Sequence, residues 1–102
     1  AEGVIAAARA ASRDDLIITT VDLGQNVSID MARGGYVKSV SAQRPYDQEV
    51  TEATLGGYAL LGKKAPTFVA WPIIPTTKAN LLDSWKAVYQ VDAPENIRKS
   101  MK

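Results

Sequence analysis

The sequence contains no cysteine and no histidine. Without Cys there are no disulfides and no thiol chemistry. Without His, a His-based triad, an imidazole general base and most transition-metal sites are excluded. Charge of one sign is missing too: twelve Lys and Arg against eleven Asp and Glu leave a formal +1. The cations are scattered, so nothing marks a nucleic-acid or anionic-membrane surface. Long hydrophobic runs are also lacking. The longest uncharged apolar-rich stretch, residues 65–77, is broken by prolines and falls far short of the ~20 residues a membrane helix needs. Neither G-x-G-x-x-G nor a complete G-x-x-x-x-G-K-[Ser/Thr] pattern occurs, so no phosphate-cradling loop is implied. No cofactor and no metal are expected from this inventory.

What remains is the composition of an ordinary folded chain, 46% apolar and 23% charged over 102 residues, enough for one small domain but not two. Residues 2–12 are Ala-rich with Val4, Ile5, Ala8 and Ala11 on one helical face. Residues 16–21 (Leu-Ile-Ile-Thr-Thr-Val) form a continuous β-branched run ending at Asp22, which predicts a strand buried on both faces. Asn26 is the expected cap of a short helix through Arg33, stopped by Gly34–Gly35. Residues 36–43 alternate as a second strand, and a long helix is expected from about residue 47 to 61. Residues 67–74 read as a third strand, with Pro72 placing it at an edge or a bend. Asn80 is the expected cap of a fourth helix striped by Leu81, Leu82, Trp85, Val88 and Tyr89, and residues 96–102 read as a polar tail.

Helices alternating with short strands predict an α/β fold, three-layer α/β/α with a mainly parallel sheet. Three strands give such a sheet too few covered neighbours. The sequence also opens on Ala1 rather than Met, with residues 2–11 already reading as structured. Both features predict a piece of a larger α/β protein, and a piece on its own would have reason to self-associate.

Asp22 ends the first strand and Gln43 the second. In an open parallel sheet, residues at the carboxyl ends of strands face the crevice where ligands bind. An acceptor-only carboxylate beside an amide that both donates and accepts suits a ligand dense in hydroxyls. From position alone, the same residues could instead cap a loop and satisfy hinge backbone. Asp14–Asp15 reads as a solvated turn, and the serines lack a base. Trp71 and Trp85 are large aromatics of the kind that usually fill cores. Tyr46, just past Gln43, is the aromatic expected nearest a cleft or hinge.

In their order along the chain, several segments resemble the ribose-binding type of bacterial periplasmic sugar-binding protein, the solute receptor of an ABC transporter. Residues 17–22 with Gly24 resemble that family's hydrophobic strand ending in Phe-Asp-Gly. Residues 40–48 (Val-Ser-Ala-Gln-Arg-Pro-Tyr-Asp-Gln) resemble its alanine–glutamine–any–proline–tyrosine turn, residues 59–66 its leucine–glycine–lysine loop, and residues 76–81 its closing threonine–lysine–aspartate–asparagine segment. The sequence departs from the pattern at Val21, where the family has an aromatic, at Leu23, which separates Asp22 from Gly24, and at Glu49, where the family usually has Gly.

The resemblance implies a two-lobed periplasmic-binding-protein fold of roughly 300 residues, two lobes of ordinary domain size, of which this chain is the C-terminal portion. Residues 1–43 would belong to the C-terminal lobe. Residues 44–76 would hold the hinge crossing and part of the N-terminal lobe, and residues 77–102 the return segment and a C-terminal helical tail. The implied function is binding of a solute, a monosaccharide, for uptake by hinged closure, without catalysis. Asp22 and Gln43 would hold the sugar hydroxyls, with Gln25, Arg44 and Tyr46 near the cleft or hinge. The partners would be the sugar, the membrane permease of the transporter and the N-terminal portion of the same protein, in the periplasm or outside a bacterial cell. Two other readings share parts of the pattern. One is the effector-binding domain of a lactose-repressor-type transcription regulator, whose equivalent turn usually lacks the Pro45–Tyr46 pair. The other is a small α/β enzyme with Asp22 as base.

Overall fold

A computed structural model describes all 102 residues. The elements run α1 (Glu2–Ala10), β1 (Ile18–Val21), α2 (Gln25–Ala32), β2 (Val37–Ala42), α3 (Pro45–Leu60), β3 (Ile74–Thr76), a 3₁₀ turn (Lys78–Asn80), α4 (Leu81–Tyr89) and α5 (Glu95–Ser100). The fold is mixed α/β around a three-stranded sheet of order β1-β2-β3. β1 and β2 are parallel, with Thr20 opposite Val40 and Val21 opposite Ser41. β2 and β3 are antiparallel, with Val40 opposite Thr76 and Ala42 opposite Ile74. One of the two pairings is therefore parallel, where a mainly parallel sheet was expected.

The register decides which side chains share a face, because successive strand residues alternate. Val40, Ala42 and Thr76 are buried and lie with Thr20 and Ile74 on the helical side. Thr19 and Val21 point the other way and are exposed. Helices cover one face only, giving two layers where the sequence predicted three. The expected burial of the first strand on both faces fails for the same reason: β1 is an edge strand, and Ile17 beside it is 71% exposed.

One cluster of thirteen residues forms the core, built from Ile5 on α1, Val27 and Met31 on α2, the inner face of β2, Leu81, Trp85 and Val88 on α4, and Ile97 on α5. At ~25 cal/mol per Å² of apolar surface, each fully buried aliphatic side chain here contributes about 1.5–3 kcal/mol. No residue between Gln43 and Asn80 belongs to it. The chain leaves the core at the end of β2 and returns along β3, and the excursion between them is long. α3 buries none of its side chains, so its apolar spacing packs no core. The shape records this: the radius of gyration is 17.0 Å and the extents are 57 × 25 × 17 Å, against a radius of about 13 Å for a compact chain of this length.

Several details differ from expectation. α2 starts two residues earlier than a cap at Asn26 allows, with Gly24 as its cap residue. α3 starts at Pro45, which takes the first helical position, where its missing N–H costs nothing. The third strand is Ile74–Thr76 and not residues 67–74, which are almost wholly without strand pairing. Asn80 is the N-cap residue of α4 as expected, but its side chain makes no cap bond to that helix; it closes a capping box with Thr77 around the 3₁₀ turn, its Oδ1 accepting from the Thr77 N–H at 2.8 Å. The polar tail folds as α5 and docks on α2 through the fully buried Ile97.

The base of α2 is held by Asp30, a buried carboxylate. Its Oδ2 accepts from the Val37 N–H at 2.9 Å and its Oδ1 from Arg9 Nη2 at 2.7 Å, tying α1 and β2 to α2. Gly34 makes the left-handed turn after the helix (φ +75°), a conformation glycine adopts without steric cost. Gly35 must then pass the carboxylate: a Cβ there would sit 2.4 Å from Asp30 Oδ1.

Candidate functional site

β1 and β2 are neighbours and parallel, so the polar residues that follow them lie at the same end of the sheet. Val21 pairs with Ser41, which puts Asp22 one residue beyond the ladder on one strand and Gln43 two residues beyond the matching position on the next. Both side chains are exposed. Neighbouring strands lie about 4.8 Å apart, so one small ligand can span both. Asp22 has left-handed backbone (φ +66°). Ser12 and Gln90 do as well, but they follow helices, where such turns are common. Asp22 alone interrupts a strand this way, and Asp tolerates the conformation better than most residues.

The other residues named from the sequence gather at this end without all meeting. Gln25 is the first residue of α2 and is exposed. The first intrahelical backbone bond of α2 is from Ser28 N–H to the Gly24 carbonyl at 2.9 Å, so the N–H groups before it have no helical partners. Arg44, half-buried at the start of α3, donates from Nε to Asp47 Oδ2 at 2.6 Å. Its guanidinium also lies 5.2 Å from the centre of the Trp71 ring, within cation–π range. Trp71 Nε1 donates to Thr51 Oγ1 at 2.9 Å. Arg44 is therefore a brace between the outgoing and returning limbs of the excursion. Tyr46 is exposed in the first turn of α3.

Two aromatics contribute to this end of the sheet in ways their sequence positions do not indicate. Trp71, a residue of the kind that usually fills cores, is 41% exposed on the excursion. Tyr89 was read as one member of an apolar stripe, yet its hydroxyl donates to the Leu23 carbonyl at 2.7 Å across 66 residues of sequence. Its position at the margin of the α4 stripe, combined with a polar tip, was the only signal available. Burial raises the Tyr89 phenol above its ordinary value, and the nearby Asp22 charge raises it further. Trp85, by contrast, is buried as expected, its ring centre 4.5 Å from that of Tyr89.

The largest surface depression, about 440 Å³, lies elsewhere. Arg9, Asp14, Ile17, Gly35, Tyr36 and Lys38 line it at the amino ends of β1 and β2. Its charged groups are already engaged: Arg9 with Asp30, Asp14 with the Tyr36 hydroxyl, and Lys38 Nζ with the Gly34 and Gly35 carbonyls. Asp15 of the neighbouring turn pairs with Arg13, which holds its carboxyl below the ordinary value. Neither this depression nor the two smaller ones includes Asp22 or Gln43. In this chain the strand-end site is an open surface, so enclosure of a ligand requires something placed opposite it. No group of three or more acidic side chains is gathered to hold a metal ion, and no helix is long and apolar enough to cross a membrane.

No family model matches the chain, and none of the curated proteins matches it either.

Proposed function

We propose that the protein binds a small polyhydroxylated solute, a monosaccharide, between two lobes, and that this chain is the C-terminal portion of a solute receptor serving an ABC transporter. The observation that carries the reading is the placement of Asp22 and Gln43 at the carboxyl ends of two neighbouring parallel strands. A carboxylate accepts from two sugar hydroxyls, while the amide donates to one and accepts from another. Charge-assisted bonds of this kind contribute about 1.5–3 kcal/mol each.

Three features of the molecule support the two-lobed arrangement. The chain leaves the core past Gln43 and re-enters it at β3, beside the point of departure, because β2 and β3 pair at Ala42 and Ile74. Two adjacent crossings at one end of a sheet are the natural place for a hinge, and the excursion between them, residues 44–73, would then belong to the opposing lobe. Moreover, Tyr46, Leu60, Leu61, Phe68 and Trp71 are exposed on the excursion, more apolar surface than an isolated surface limb normally carries. Finally, the edge of β1 and one face of the sheet lack cover, which the N-terminal portion of the protein would supply. Ligand in the cleft would favour the closed state by its differential affinity. The closed form would dock on a membrane permease, and the protein would work in the periplasm or outside the cell, binding without turnover.

A thermal-shift panel of pentoses and hexoses tests this. At least one sugar should raise the melting temperature of the protein, and Asp22→Asn should reduce the rise at the same sugar concentration. A flat response to every sugar would remove the reading. Size-exclusion chromatography in the same preparation shows whether the protein self-associates through its uncovered surfaces.

A further inference from the structure

The backbone at Asp22 needs explaining on its own terms. A left-handed residue at the end of a strand is held only if its surroundings over-determine it. Leu23, the next residue, supplies half of the answer: its side chain is 2% exposed and belongs to the core cluster. The other half is its carbonyl, which accepts the Tyr89 hydroxyl at 2.7 Å. Tyr89 comes from the last turn of α4 and is half-buried, its ring fixed at 4.5 Å and 41° against the ring of Trp85. The turn that follows β1 is therefore pinned from the side-chain end by core packing and from the main-chain end by a helix on the far side of the sequence.

We propose that Tyr89 is a positioning residue for the ligand site: by donating to the Leu23 carbonyl it fixes the Asp22–Leu23–Gly24 turn and so the direction in which the Asp22 carboxylate is presented. The proposal rests on the reading of Asp22 as a ligand-binding residue. It adds that α4, which follows the excursion in sequence, controls the geometry of a site on the strand that precedes it. The influence of the Asp22 charge on the Tyr89 phenol agrees with two groups close enough to sense each other. Tyr89 does not contact the ligand in this scheme; it acts through the turn.

The test combines calorimetric titration of D-ribose, D-xylose, D-glucose and D-galactose into the parent protein, Tyr89→Phe and Asp22→Asn with NMR of tyrosine labelled at the Cζ carbon. Phe keeps the ring against Trp85 and removes only the hydroxyl. Loss of one neutral hydrogen bond that orders the site should raise Kd for the bound sugar about five-fold. In the parent, the Tyr89 Cζ resonance should move as sugar saturates the site, and at the same sugar concentration it should move less in Asp22→Asn, a response that a tyrosine serving only to pack would not give. If Tyr89→Phe binds the sugar as tightly as the parent, or if the parent's Tyr89 resonance does not move at saturation, the proposal is overturned while the sugar-binding reading stands. If the parent binds none of the four sugars, the reading beneath it fails and takes the proposal with it.

Discussion

Replacing Asp30 by alanine takes the acceptor away from a backbone donor that has nowhere else to go. Val37 is 1% exposed, and its N–H donates to Asp30 Oδ2 at 2.9 Å. Left unpaired, a buried N–H costs about 1–3 kcal/mol. The second bond, from Arg9 Nη2 to Oδ1 at 2.7 Å, adds less, because Arg9 is 61% exposed and solvent-screened pairs contribute about 0–1 kcal/mol. Together they give a loss of about 2–3 kcal/mol for Asp30→Ala. Asp30→Asn keeps a carbonyl oxygen for Val37 and should cost roughly 1 kcal/mol, mostly through the Arg9 contact. Urea denaturation followed by far-ultraviolet circular dichroism reads the difference: at an m-value of about 1.5 kcal/mol per M, alanine should lower the midpoint by about 1.3–2 M and asparagine by about 0.7 M. An alanine variant within about 0.5 kcal/mol of the parent, the range of ordinary surface substitutions, would refute the reasoning, as would an asparagine variant equally destabilised.

Two glycines should respond in opposite ways to alanine. Gly35→Ala drives a Cβ to 2.4 Å from the Asp30 carboxylate and should destabilise, whereas Gly57→Ala meets nothing within 4 Å inside α3 and should stabilise by about 0.5–1 kcal/mol; paired thermal melts check both signs. The raised phenols of Tyr89 and Tyr36, each lifted first by burial, mean that the fold favours their neutral forms. Their contribution is fully present below the unfolded tyrosine value of about 10 and is lost as pH rises through the higher folded values. Urea midpoints measured from pH 9 to pH 11.5 should fall, and should fall less steeply in Tyr89→Phe; parallel curves would contradict this. Trypsin should cut first at the exposed Lys63–Lys64 pair, and the two pieces should remain associated, because the core draws on residues both before and after the excursion. A first cut within residues 1–42 would count against that picture.

The parts of the fold readable from sequence were those set by local chemistry. β1 announces itself through a β-branched run and β2 through alternation, and their carboxyl ends fix where Asp22 and Gln43 lie. Gly34–Gly35 stops α2 as expected, since a left-handed residue is needed there. The third strand was misplaced because Phe68 and Val69 have strand-like side chains but no partner, while the short Ile-Pro-Thr segment gains its pairing from β2. Propensity yields to available hydrogen bonds. The tail was misread because its charges dominate the composition, yet Ala93, Ile97 and Met101 recur every fourth residue and all pack on the core. Coverage of the second sheet face is not written in strand residues such as Thr19, which suit either a buried or an exposed face. The role of Tyr89 depends on a contact 66 residues away, and no local pattern encodes it.

The most direct measurement of joint recognition at the strand ends is a double-mutant cycle on Asp22 and Gln43, read as sugar affinity by titration calorimetry. Asp22→Asn suits the cycle because Asn also accepts left-handed backbone. Each single variant, Asp22→Asn and Gln43→Leu, should weaken binding by about ten-fold or more, in line with the loss of a hydrogen bond made to a charged or a well-ordered group. The double variant should fall short of the product of the two losses, as expected when both residues hold one ligand. Sugar affinity unchanged in both single variants would contradict the placement of the ligand at the ends of β1 and β2.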